Sequence, residues 1–130
     1  MQTLLAVAAG GAIGASARYL LSSQVARWLG SGFPWGTLAV NVLGAALMGL
    51  LVGLFARVWT LHDPWRALLV TGILGGFTTF SAFSLEAGLM IERGQYGLAL
   101  AYASASVVLC LAALLGTLWL TRALPAGLPS

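Results

Sequence analysis

The polar side chains of this chain are few, and most fall into short clusters inside long apolar runs. Thr37 and Asn41 stand at i and i+4, which puts both on one face of a helix. Asn brings two N–H donors and Thr one O–H. The pair therefore either bonds a neighbouring helix or offers donors to a ligand. Tyr102, Ser106 and Cys110 follow at i, i+4 and i+8, a stripe that reads either as a packing face with back-bonded Ser or as a polar track. The third cluster is the run Leu74-Gly75-Gly76-Phe77-Thr78-Thr79-Phe80-Ser81-Ala82-Phe83-Ser84, with two adjacent glycines and four hydroxyl residues. That composition weakens a helix.

A helix interrupted at membrane depth frees backbone groups, and these survive only inside protein or along a wet cavity. Freed carbonyls take cations and half-helix N-termini favour anions. The segment Gly75–Ser81 contains no carboxylate, so a cation there rests on carbonyl oxygens, which suits a monovalent ion such as Na⁺. The alternative is a glycine-rich kink with no ion. Phe80 and Phe83 share a face three residues apart. Aromatic edges carry partial positive charge, so ring edges, Asn amides and the hydroxyls of Thr79, Ser81 and Ser106 suit a small, hard anion. Ordinary helix packing is the plainer role for the two rings. Glu86 lies three residues beyond Phe83 on the same side, where a carboxylate requires hydrogen-bond partners. Arg18 lies within an apolar span; it either snorkels to the interface or lines a wet vestibule and attracts anions. None of these sets calls for covalent chemistry, so the expectation is that the protein is not an enzyme.

The elements that must position these residues are membrane helices. The chain has 130 residues, 60% hydrophobic and 7% charged, against about 25% charged in a soluble domain. Its mean hydropathy is +0.97. A membrane helix needs about 20 mostly apolar residues, and four segments qualify within a single domain spanning 1–130: about 3–28, 36–59, 65–92 and 95–121. Gly30-Ser31-Gly32-Phe33-Pro34, Leu61-His62-Asp63-Pro64 and Arg93-Gly94-Gln95 supply turn signals between them. Trp28, Trp35, Trp59, Trp65 and Trp119 fall near span ends, as interfacial aromatics do. The tail Pro125–Ser130 is expected to be disordered. Ala15-Ser16-Ala17 resembles a signal-peptide cleavage site, but no positive side chain precedes Leu4 and the apolar pattern continues; the segment reads as a retained helix.

All six basic residues are Arg, and they are scattered, which argues against a nucleic-acid surface. Arg57, Arg66 and Arg122 fall on one side of the membrane, Arg27 and Arg93 on the other. That bias is too small to fix an orientation; it is compatible with insertion both ways and antiparallel pairing, or with one orientation set by a weak signal. The single Cys110 excludes an internal disulfide, and His62 has no metal-ligating neighbours.

Four motifs, one per helix, resemble the Fluc (CrcB-type) fluoride channels. They are Gly10-Gly11-Ala12-Ile13-Gly14 with Arg18-Tyr19; Gly36-Thr37-Leu38-Ala39-Val40-Asn41 with Gly44; Gly72 through Gly75-Gly76-Phe77-Thr78-Thr79-Phe80-Ser81-Ala82-Phe83 with Glu86; and Tyr102 with Ser106. The resemblance implies an all-α subunit of four transmembrane helices with a broken third helix, assembled as an antiparallel, dual-topology homodimer with two fluoride pores. It implies a structural, untransported Na⁺ at the dimer centre, held by the carbonyls of Gly75 and Thr78 from both subunits. Phe80, Phe83, Asn41, Tyr102 and Ser106 match the family's pore positions. Cys110 stands where some relatives continue the stripe with Ser, and is a weaker donor.

The function so implied is passive fluoride export through a prokaryotic inner or plasma membrane. Its partners are fluoride, lipid and a second copy, without nucleotide or nucleic acid. The competing reading is a small proton-coupled exporter of organic cations resembling the small multidrug transporters. Those place an essential Glu in the first helix, where this chain has Arg18 and no acid.

Overall fold

The computed structural model describes residues 1–57 and 60–125; Trp59 and all of the tail beyond Pro125 lie outside the described residues. The chain is helical: α1 Gln2–Leu29, α2 Trp35–Arg57, α3 Asp63–Arg66, a π-helical stretch Ala67–Leu74, α4 Gly75–Phe77, α5 Phe80–Glu92 and α6 Tyr96–Ala123. The four expected apolar spans are present, the third running from Asp63 to Glu92. A run of 28 residues such as α1 measures about 42 Å at 1.5 Å per residue, enough to cross about 30 Å of hydrocarbon.

The connections follow local chemistry. His62 is extended before α3 and Pro64 sits in its first turn, where a missing N–H costs nothing. After α5, Gly94 adopts φ 75°, a left-handed conformation that favours glycine. Its N–H donates to Ile91 at 3.0 Å and the N–H of Gln95 to Met90 at 2.9 Å. This paired return closes α5 and aims α6 back through the bundle.

Helix α2 packs mainly on α6, and α1 on the π-helical stretch. The second contact depends on absent side chains: a Cβ on Gly72 would stand 2.9 Å from the Gly10 Cα. Without a hydrophobic force between helices in lipid, such close backbone approach supplies the packing. At the far end, Arg57 Nη1 donates to the carbonyls of Thr121, at 3.2 Å, and Arg122, satisfying the free C-terminus of α6. The core under the site consists of Leu38, Met90, Ala99 and Tyr102, with Phe33 and Phe83 against it.

Candidate functional site

The third span changes conformation between Phe77 and Phe80. Thr78 has φ −78° and ψ 155°, and Thr79 has φ −150° and ψ 115°. Both are extended, between stretches that are helical. The adjacent glycines are not the extended residues: Gly75 keeps φ −64° and ψ −38°. Gly76 allows close packing instead, since a Cβ there would lie 2.8 Å from the Gly11 carbonyl. The β-branched threonines are at ease in extended backbone.

Side chains take over the backbone bonds that the helix gives up. Thr79 N–H donates to Asn41 Oδ1 at 2.8 Å, and Asn41 Nδ2 donates to the Thr79 carbonyl at 3.0 Å. Ala82 N–H donates to Thr79 Oγ1 at 3.1 Å, so Thr79 is the N-cap of α5. Thr79 Oγ1 lies 3.2 Å from Ser81 Oγ. Thr78 Oγ1 donates back to the Leu74 carbonyl at 3.0 Å. Arg18 Nη1 reaches the Thr78 carbonyl at 3.5 Å, the long limit of a hydrogen bond. The guanidinium that sequence left between snorkelling and a vestibule is thus aimed at the break.

Two grooves flank this segment. One, of ≈ 360 Å³, brings together Asn41, Thr78, Thr79, Phe80, Phe83, Ser106 and Cys110, over Gly44 and Met48. Its walls are largely apolar. Ser106 Oγ is buried and has no hydrogen-bond partner among the described residues. The rings of Phe80 and Phe83 lie 5.4 Å apart, and Phe83 continues to Tyr102 at 5.0 Å. The other groove, of ≈ 500 Å³, is lined by Arg18, Thr37, Thr79, Ser81 and Glu86, among others.

Glu86 organises a cluster between helices. Thr37 Oγ1 donates to one carboxylate oxygen and the Tyr102 hydroxyl to the other, each at 2.7 Å. The hydroxyls of Thr37 and Tyr102 are therefore spent on Glu86. A crevice of ≈ 410 Å³ between the Gly30–Gly36 connection and the end of α5 reaches Thr37 and Glu86 from the Arg93 and Gln95 side. Gly75 lies in α4 and lines none of these grooves. Of the charged groups in the spans, Glu86 and Arg18 thus line a common groove.

Sequence reasoning did not single out Phe33, whose ring meets Tyr102 edge-on at 5.3 Å. Its position beside Pro34 marks it only as part of a turn. Nor does any periodicity announce the π-helical stretch before the break, a form frequent at functional sites.

Residues 5–118 match a family described as "CrcB-like protein, Camphor Resistance (CrcB)". The chain is 59% identical over 123 residues to a "Fluoride-specific ion channel FluC" of Phenylobacterium zucineum, covering 94% of this chain and 97% of that protein. It is 51% identical over 122 residues to a protein of the same name from Rhodospirillum centenum, covering 94% and 97%. A relative of that name from Caulobacter vibrioides is 51% identical over 123 residues, again covering 94% and 97%. With its four spans, the chain is a multi-pass protein of a bacterial cell membrane. A helical bundle with an extended Thr-Thr step in its third span, matched to that family along nearly its whole length, belongs to the CrcB-like family.

Proposed function

We propose that this chain is a passive, fluoride-selective channel, not an enzyme, and that it lets fluoride leave the cytoplasm. The observation that carries the reading is the unpartnered Ser106 hydroxyl, buried in the groove that also holds Asn41, Thr79, Phe80 and Phe83. A buried polar atom without a partner needs an explanation, and a small anion on the groove side supplies one. Asn41 spends one Nδ2 hydrogen on Thr79 and keeps a second for a ligand. The ring edges of Phe80 and Phe83 add weak electropositive contacts. Fluoride is small and strongly hydrated, so its path must replace water with donors of this kind. The names of the relatives, fluoride-specific ion channels, agree with that chemistry.

Hydrogen fluoride crosses membranes as a weak acid and ionises inside. The anion then leaves down its gradient, driven by an inside-negative potential at about 2.3 kcal/mol per charge per 100 mV. On this reading Arg18 draws anions toward the break, and Ser81, Thr37, Glu86 and Tyr102 form the polar continuation beyond the phenylalanines.

The reading includes two copies in antiparallel orientation. Phe80 is 78% exposed in the single chain, an aromatic wall that a second copy would cover. It also includes a structural Na⁺ between the copies, on the carbonyls of Gly75 and Thr78. The donor set fits: neutral oxygens in a segment without carboxylates suit a monovalent cation. The Thr78 carbonyl, turned out of the helix, has only the 3.5 Å contact from Arg18 among the described side-chain bonds. A bound cation would neutralise carbonyl dipoles that face each other across the interface.

Purified protein in fluoride-loaded liposomes tests the proposal. Clamping the potential should release fluoride rapidly while chloride stays inside. Retention of fluoride under those conditions would refute the channel.

A further inference from the structure

We infer that the Asn41 amide and the Thr79 hydroxyl create the cation-binding carbonyls of the third span, by withholding the two N–H groups that would otherwise seal them. The inference rests on the Na⁺ reading above and goes further, because it assigns the origin of the site to two side chains.

In an unbroken α-helix the N–H of residue i bonds the carbonyl of residue i−4. The N–H of Thr79 would close over the carbonyl of Gly75, and the N–H of Ala82 over that of Thr78. In this structure both donors go elsewhere. Thr79 N–H runs to Asn41 Oδ1 at 2.8 Å, and Ala82 N–H runs to Thr79 Oγ1 at 3.1 Å. Gly75 and Thr78 are among the carbonyls so deprived of their helical donors. One diversion comes from α2, across a helix contact; the other is local, an N-cap at the start of α5.

Asn41 is well built for this task. Its Nδ2 donates to the Thr79 carbonyl at 3.0 Å while its Oδ1 accepts from the Thr79 N–H. The match of donor to carbonyl and acceptor to N–H fixes which way the amide faces. It also gives Thr79 a bonded alternative to the helix, at a depth where an unbonded backbone would be costly. Asn41 is then a positioning residue for the cation while it lines the anion groove, and a change at this one residue should register at both ions.

If Asn41 were only a bond between helices, its loss would weaken packing without acting on the cation. Equilibrium binding of radioactive Na⁺ to the purified full-length protein separates the two. Asn41→Leu and Thr79→Val each remove one diverting acceptor, and each should raise the half-saturating Na⁺ concentration by roughly tenfold. Thr79→Ser keeps the acceptor atom and should bind Na⁺ close to wild type. Ser106→Ala lines the same groove but touches neither N–H, so its Na⁺ binding should match wild type. Wild-type half-saturation in Asn41→Leu and Thr79→Val would overturn the inference while leaving the Na⁺ site standing. Should Asn41→Leu not fold, the Thr79→Val and Thr79→Ser pair decides alone. Absence of saturable Na⁺ binding in wild type would remove the Na⁺ reading itself, and this inference with it.

Discussion

Ser106 carries a hydroxyl that is buried and, among the described residues, unpaired, whereas Asn41, a helix away in the same groove, carries an amide paired twice. The two residues should therefore respond differently to truncation. Ser106→Ala removes an unsatisfied polar atom and strands no partner, so thermal unfolding of the purified protein should be unchanged or slightly raised, while fluoride flux falls. A marked loss of stability would mean that the hydroxyl has a structural partner. Phe80→Ile and Phe83→Ile keep bulk but remove the electropositive ring edges; both should block flux and leave the assembled protein intact, checked by efflux and size-exclusion chromatography. Normal flux in both would remove the phenylalanines from the path. Tyr102→Phe deletes one of the two hydroxyls on Glu86 and should cost about 1 kcal/mol, the net worth of a typical hydrogen bond, read from the same unfolding curves. At this scale the residue types were legible from spacing alone, since hydroxyls and amides are scarce in apolar runs. Their partners were not. That Thr37 and Tyr102 both turn to Glu86 depends on three helices meeting, which no periodicity within one helix encodes.

The third span shows which parts of an element a sequence can give away. The Gly-Gly pair and the hydroxyl-rich run located the weak region. The extended residues proved to be Thr78 and Thr79, while Gly76 is held close against α1 and Gly75 stays helical. Glycine in a membrane helix serves two ends, a bend or a near approach, and composition does not separate them. Neighbouring geometry does, and it makes a prediction. Gly72→Ala would force a methyl to 2.9 Å from the Gly10 Cα and should destabilise by about 1–3 kcal/mol. Gly116→Ala meets nothing within 4 Å among the described residues and should gain up to about 1 kcal/mol of helix propensity. Thermal unfolding of the two variants beside wild type checks the contrast; equal effects would deny that the π-helical stretch and α1 depend on backbone contact. The π-helical register of Ala67–Leu74, which packs against α1, had no signal in the sequence.

On the scale of the molecule, each span has only 11% to 28% of its most apolar window buried inside the single chain. Lipid accepts most of that surface. On the proposed reading, a second copy covers the largely exposed Phe80 of the mostly apolar groove, and the weak charge bias is compatible with its inserting the other way up. If a Na⁺ fastens the pair, replacing Na⁺ with a much larger cation should lower dimer stability and silence flux together; retention of both would remove the cation from the account. The central claim, passive and selective conduction of fluoride, is tested most directly by the reversal potential of single channels in a planar bilayer. With equal chloride on both sides and a tenfold fluoride gradient, the current should reverse at the fluoride equilibrium potential, about 59 mV from zero for a monovalent ion. A current that reverses at zero, or that moves with a proton gradient instead, would contradict it.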